Sequence, residues 1–362
     1  MSDSSTTGKE PSKDLPDALL FDRAQPSVAS EFDVEEALVK HGVPTFYVKL
    51  KPDSKQAFVR LVGKLSAVGL TPTLREVDGR NVVRVTPRPE VKPSRLIVNV
   101  ILLLATIATV FVTGFFLSQG FEEAGLDPWM GAASFTLALL GILGVHEMGH
   151  KFAANRHGME ASLPYFIPGP PFLGIGTFGA VIIQKETAPN RDALFDIGAS
   201  GPVWGFVVTV AVSAIGLSMS HVEEVAEPLT GGLPISPLFL FLMNALVKVP
   251  GPGNYVVYLH PVAFAGWLGM FVTLLNLLPT GMLDGGHTLR SIINNDVARA
   301  VFTAVSVLLL LIVQQYLMLA LVLFLSMYRH PGPLDDVSPL SGKRKLMAIV
   351  LVAIFALCLF VF

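Results

Sequence analysis

GAASFTLALLGILGVHEMGH, residues 131–150, decides how this chain is read. Its first fifteen residues carry no ionisable side chain, and His146, Glu147 and His150 follow at once. An apolar helix of that length belongs in hydrocarbon, where ionisable groups are costly and functional by default. On a helix, positions i and i+4 project about 40° apart, so both imidazoles face one way. They supply two nitrogen ligands to one zinc ion, and Glu147 beside them is placed to take a proton from water activated by that metal. With the helix starting near Gly131, His146 falls about 22 Å along it, inside the membrane.

The rest of the chain agrees with that setting. It has 362 residues, 52% of them hydrophobic and 15% charged, with a formal net charge of −2. An ordinary soluble domain carries about 25% charged residues. The fold class expected is therefore a polytopic α-helical membrane protein with a small N-terminal α+β soluble domain. The charge balance gives no basic surface for nucleic acid, and the expected partners are membrane lipid and a transmembrane protein substrate. The lone Cys358 rules out a disulfide framework or a cysteine-built metal site.

Residues 1–30, rich in Ser, Asp, Lys and Pro, read as a disordered tail. Residues 31–92 read as the soluble domain: FYVKL (46–50) as a strand, 55–69 as a helix, and two strands around the Asp78-Gly79 turn. The order strand–helix–strand–strand points to a ferredoxin-like module. Residues 96–362 read as the membrane domain, with its catalytic core at about 131–290. Spans are expected at 96–116, 131–153, 197–219, 261–279 and 346–362. The apolar stretch 297–328 would measure about 48 Å as one helix, so a hairpin turning at Gln314-Gln315 is expected. Residues 237–249 are too short to span and are expected to be re-entrant or interfacial. Arg95, Lys151, Arg156, Arg191 and the Lys343-Arg344-Lys345 run put the N-terminal domain on the cytoplasmic side.

Two histidines need a third protein ligand, leaving one position open. His157 and Glu160 lie just downstream but past the helix end. The stronger candidate is Asp284 in NLLPTGMLDGGH (276–287), where Pro279 breaks a helix at membrane depth and Gly281, Gly285 and Gly286 permit a tight turn. His287 is the alternative ligand from that segment. Residues 171–186 alternate small and apolar side chains and read as a re-entrant β segment near the metal, with Gly176, Phe178 and Gly179 as substrate-binding positions. Gly198, Gly201, Pro202 and Gly205 read as a helix-packing stripe.

HEMGH in one span paired with NLLPTGMLDGG in a later one resembles the site-2 proteases, a family of intramembrane zinc metalloproteases. LPYFIPGPPFLGIGTFGAVI (163–182), ALFDIGASGP (193–202) and HPVAFAGWLGM (260–270) look most like its archaeal and plastid branch, which lacks an inserted PDZ domain. The resemblance implies one Zn²⁺ per chain on His146, His150 and Asp284, with Glu147 as general base and then as proton donor to the leaving amine. It implies that Asn276 holds the substrate backbone or the oxyanion. The activity implied is regulated intramembrane proteolysis, and the location expected is the cell membrane of a prokaryote. Two rivals use the same residues differently: a transporter or metal permease passing ions over these ligands, and a catalytically silent membrane scaffold. The first predicts further polar residues through several spans, which 96–116 and 346–362 lack.

Overall fold

A computed structural model describes residues 17–89, 93–121, 125–225, 232–312, 316–326 and 332–360. The chain forms two compact units, residues 1–91 with 333–339, and residues 92–332 with 340–362.

The first unit is an α+β module. Helix α1 (Asp17–Glu31) leads into strands β1 (Asp33–Lys40) and β2 (Val43–Lys49), helix α2 (Ser54–Ser66), and strands β3 (Leu70–Val77) and β4 (Arg80–Pro87). The sheet order is β1-β2-β4-β3, all antiparallel. The expected strand–helix–strand–strand order is β2–α2–β3–β4, with β4 lying between the two strands that α2 joins. Helix α1 and β1 precede it and complete a ferredoxin-like sheet whose chain begins at the second helix and last strand. Asp78 and Gly79 both take positive φ, as a two-residue hairpin turn requires. Phe46, Phe58, Leu61, Leu74 and Val83 form the core.

Two expectations are corrected here. Residues 17–30 are not a disordered tail: Leu20, Ala24 and Val28, spaced one helical turn apart, bury in this core. Residues 1–16 lie outside the described residues. The unit also extends beyond residue 92, because Pro333–Pro339 returns to it. Leu74 N–H donates to Leu334 O at 2.9 Å and Asp336 N–H to Leu74 O at 3.2 Å, adding a short parallel segment beside β3.

The second unit is helical. Helix α3 (Leu96–Ser118) and helix α4 (Pro128–Arg156) are followed by strands β5 (Tyr165–Pro168) and β6 (Thr177–Val181) and by helix α5 (Arg191–Ser218). Strand β7 (His221–Glu224) pairs with β8 (Tyr255–Tyr258) around the short helix α6 (Pro237–Leu246). Helices α7 (Pro261–Asn276), α8 (Asp284–Ile292), α9 (Asp296–Ile312), α10 (Tyr316–Ser326) and α11 (Gly342–Cys358) complete it. Among the described residues three stretches are long and apolar enough to cross a membrane: Leu96–Phe121, Pro128–Arg156 and Arg191–Ser218. The chain is a multi-pass membrane protein. Helices α6 and α7 are apolar but shorter. Gln314-Gln315 lies outside the described residues, but α9 and α10 on either side are separate helices that share a core through Leu310 and Val322. Within 297–328 the described residues thus form two packed helices.

Helix α4 is set at both ends by local chemistry. The Asp127 carboxylate accepts from the N–H groups of Trp129 and Met130, Pro128 occupies the first turn, and Gly158 at positive φ follows the C-cap. His146 consequently lies about 27 Å from the start of the helix and about 15 Å from its end. Helices α3 and α4 run antiparallel, with the Gly114 end of α3 against Ala132 and its Asn99 end against Leu163 and Pro164. The expected β segment is a hairpin, β5 with β6, beginning at Tyr165 rather than inside 171–186.

Candidate metal centre

Helix α7 ends at Asn276, the chain turns through Pro279, and Asp284 opens α8. The turn is tight: a Cβ on Gly285 would overlap the carbonyl oxygens of Leu277 and Leu278. That turn brings the Asp284 carboxylate onto the histidine face of α4. His146 Nε2 lies 3.1 Å from Asp284 Oδ2, His150 Nε2 lies 3.2 Å from the same oxygen, and the two Nε2 atoms are 3.1 Å apart. Ligands of a tetrahedral zinc, each about 2.0–2.1 Å from the ion, are separated from one another by roughly 3.3 Å. The three atoms match one face of such a tetrahedron, and they are the one converging metal-ligand group among the described residues.

The surroundings select the state of the ligands that a metal needs. His150 Nδ1 donates to the Ile197 carbonyl on α5 at 2.6 Å, which leaves Nε2 with its lone pair directed at Asp284 and His146. Gly201 and Gly205 of α5 lie flat against the two imidazoles. A Cβ at Gly201 would land on the His150 ring, and one at Gly205 would press on His146. The small-residue stripe read as helix packing is therefore packed on the ligands themselves. Gly198 admits the opening turn of α8 in the same way, against Asp284 O and the His287 Cβ.

Glu147 is 7% exposed, with Oε1 4.0 Å from His146 Nε2. Asn276 Nδ2 lies 3.3 Å from His146 Nε2. The arrangement thus gathers three ligand atoms, a free carboxylate and a neutral amide donor around one point, which suits the addition of water to a carbonyl.

The other sequence candidates lie elsewhere. His157 Nε2 pairs with Asp196 Oδ2 at 2.8 Å, and Glu160 Oε2 with Lys185 Nζ at 3.1 Å. His287 is not among the converging three. Phe178 is exposed and Gly179 takes positive φ in the open strand β6. Gly176, expected at a substrate-binding position, packs against α3, where its carbonyl accepts from Thr109 Oγ1 at 2.7 Å and a Cβ would meet Val110. Sequence reasoning missed the Ile197 carbonyl because a backbone group carries no residue-type signal.

Residues 134–320 match the family model described as peptidase family M50. The chain belongs to peptidase family M50. Its relatives include "Probable zinc metalloprotease EGY1, chloroplastic" of Arabidopsis thaliana, 34% identical over 174 residues, which covers 46% of this chain and 30% of that protein. "Probable zinc metalloprotease EGY3, chloroplastic" of Oryza sativa subsp. indica is 31% identical over 289 residues, covering 72% of this chain and 47% of that protein. The chain spans less than half the length of these curated relatives. The site-2 protease structure from Methanocaldococcus jannaschii aligns at 15% identity over 61% of this chain and 85% of that one, with a TM-score of 0.29, a likeness too loose to bear on the fold.

Proposed function

We propose that this M50 chain is an intramembrane endopeptidase that hydrolyses peptide bonds of transmembrane protein substrates, using one zinc ion per chain. The observation that carries the reading is the triangle of buried His146 and His150 with part-buried Asp284, its edges 3.1–3.2 Å, and Glu147 beside it.

His146, His150 and Asp284 would hold the ion. Zinc held there supplies a Lewis acid that acidifies water and polarises a carbonyl. Glu147 takes the proton from the attacking water and delivers it to the departing amine nitrogen. The Asn276 amide donates to the oxygen of the scissile carbonyl as negative charge develops on it. A substrate helix shields its own peptide bonds by internal hydrogen bonds, so it must open locally before attack. Strand β6 belongs to a two-stranded sheet, with β5 on one side and no strand on the other among the described residues. Its open edge, including Phe178 and Gly179, offers an unwound segment replacement hydrogen bonds.

The same geometry supports an orientation. The His157–Asp196–Arg344 ion pairs and the Asn99 contacts bring the start of α3, the end of α4 and the starts of α5 and α11 to one end of the helical unit. Arg95, Arg156, Arg191, Lys343 and Lys345 belong to those same termini, and such charge gathers on the cytoplasmic side. The N-terminal unit, which precedes α3 in the sequence, is read as cytoplasmic and the membrane as the cell membrane of a prokaryote. The metal site is then reached about 15 Å in from that side.

The test is zinc content of the purified full chain in wild type, His146→Ala, Asp284→Ala and Glu147→Gln, measured beside cleavage of membrane-embedded reporters. Wild type and Glu147→Gln should each hold one zinc, both ligand variants should lose it, and all three variants should lose cleavage. Full zinc retention by Asp284→Ala would break the three-ligand model.

A further inference from the structure

We infer that Thr209 is a positioning residue: with Ile142 it seats Gly269 of α7 one helical turn beyond the metal ligands, and so fixes where the Asn276 amide stands against the metal centre. The inference rests on the proposed role of Asn276 as donor to the scissile carbonyl oxygen.

Thr209 is fully buried, and its hydroxyl has no hydrogen-bond partner among the described residues. Buried helical threonines elsewhere in the chain turn the hydroxyl back to the carbonyl one turn earlier. Thr106 donates to Leu102 O at 2.8 Å, Thr136 to Ala132 O at 2.7 Å and Thr273 to Gly269 O at 2.8 Å. Thr209 forgoes that bond and points across the interface with α7. A Cβ at Gly269 would lie 2.6 Å from Thr209 Oγ1, and 3.0 Å from both Thr209 Cγ2 and Ile142 Cδ1. Ser213, one turn on, repeats the arrangement: its hydroxyl is also buried and unpartnered among the described residues, and a Cβ at Gly266 would fall on it. A glycine Cα–H is a weak donor to such an oxygen, and glycine lets the two backbones come this close. A buried polar atom matched to one small residue on the facing helix sets register, because a slip would press it against a bulky apolar side chain.

The contact occupies the layer next to the metal. Ile142 is one turn before His146 on α4, and Thr209 one turn after Gly205 on α5, the glycine that lies against the His146 ring. Helix α7 runs unbroken from Gly269 to Asn276, two turns and about 10 Å, and Asn276 Nδ2 arrives 3.3 Å from His146 Nε2. The start of α7 is fixed independently: a Cβ at Gly216 would land on Ala263 N, and the His260 N–H donates to Ser220 Oγ at 3.0 Å. With that end held, a shift at Gly269 tilts α7 about Ala263. Ala263 lies six residues before Gly269 and thirteen before Asn276, so Asn276 moves about twice as far. A methyl at Gly269 must retreat about 0.8 Å from Thr209 Oγ1 to reach ordinary contact, which carries Asn276 about 1.5–2 Å from its place. The ligands do not ride on α7: His146 and His150 belong to α4, and Asp284 opens α8, which packs on Gly198 of α5.

The full chain is purified in detergent as wild type, Gly269→Ala, Thr209→Val and the double variant Gly269→Ala/Thr209→Ala, with both single variants made again beside Asn276→Ala. Thr209→Val puts a methyl where the hydroxyl was, and so presses on Gly269 more gently than Gly269→Ala does. Zinc content should be unchanged throughout. Turnover of a dye-labelled single-span helix should fall about 10- to 100-fold in kcat in Gly269→Ala, and less in Thr209→Val, with KM little changed. The double variant, which removes both threonine atoms that face the new methyl, should regain most of the loss. Beside Asn276→Ala neither change should cost anything further, since the group they displace is gone. A second readout needs no turnover: with Co²⁺ loaded in place of zinc, paramagnetic broadening of the isotope-labelled Asn276 amide should weaken in Gly269→Ala and return in the double variant. Unchanged broadening and kcat in both single variants, or equal losses with and without Asn276, overturn the positioning role, as does loss of zinc from folded Gly269→Ala. Absence of recovery in the double variant removes Thr209 as the seat. A zinc-loaded wild type that cleaves nothing counts against the protease reading instead, and the cobalt experiment still decides what places Asn276.

Discussion

Gly201→Ala sets two physical effects against each other. Gly201 is inside α5, where replacing glycine by alanine ordinarily stabilises a helix by about 0.5–1 kcal/mol. Here the added methyl falls on the His150 imidazole, touching Nε2, Cδ2 and Cε1 together. The ring has no easy retreat, because its Nδ1 is bound to Ile197 O at 2.6 Å and its Nε2 stands 3.1–3.2 Å from the other two ligand atoms. Tilting it costs the hydrogen bond, about 1 kcal/mol, which cancels the propensity gain in metal-free protein. It also breaks the ligand triangle. Disturbing the supports of a metal-bound histidine weakens binding by about 10- to 100-fold, or about 1.4–2.7 kcal/mol. Gly201→Ala should therefore melt like wild type without metal and yet give up zinc to a weaker chelator. Gly205→Ala should do the same to a smaller degree, since its Cβ would meet His146 only at 3.0–3.1 Å. The assay is a competition titration with chelators of graded strength on both variants and wild type. A Gly201→Ala titration superimposable on wild type would refute the pinned-ring account, as would Gly205→Ala proving the more damaging.

Asn276→Ala should keep its zinc and lose about 100-fold or more in turnover, as removal of one oxyanion donor does elsewhere; undiminished turnover would remove Asn276 from the chemistry. Arg344→Ala removes the guanidinium from Asp192 at 3.0 Å and Asp196 at 2.5 Å, all three side chains being less than one-third exposed; His157 still faces Asp196 and the Ser341 N–H still donates to Asp192, so the helical unit should lose about 1–2 kcal/mol, and an unchanged melting temperature contradicts this. In the α+β unit, the hydrogen bond from Lys64, with that from Arg60, holds the Glu31 carboxyl below the usual carboxylate range. Its folded pKa thus lies below its unfolded value of about 4.3, so the stabilisation is present above that pH and fades as pH falls through the folded value. Glu31→Gln should lower urea resistance at about pH 7, and the deficit should shrink as pH falls below about 4.3 toward the folded value; a deficit that does not change with pH would point to packing instead.

What the sequence made legible was chemistry tied to residue type. H-E-x-x-H announces itself because helical spacing alone puts two imidazoles on one face, and Asp284 because a helix broken by Pro279 and glycines at membrane depth needs a reason. The α5 glycines were legible as close packing but not as packing on His146 and His150, since the identity of the facing helix is a tertiary fact. Helix α1 was missed because Pro26 and a polar sequence mask the Leu20–Ala24–Val28 stripe. Strand β5 was missed because YFIP is short and surrounded by prolines, and its place is fixed from outside, by Asn99 and Lys151, rather than by its own propensity. Asn99 and Lys151 were each visible as a polar residue in an apolar helix or a cation near its end, yet neither carried a motif. The division follows the physics: ligands and proton carriers must be particular side chains, whereas the group that aims His150 is a backbone carbonyl, Ile197 O, whose place comes only from how α4 and α5 meet.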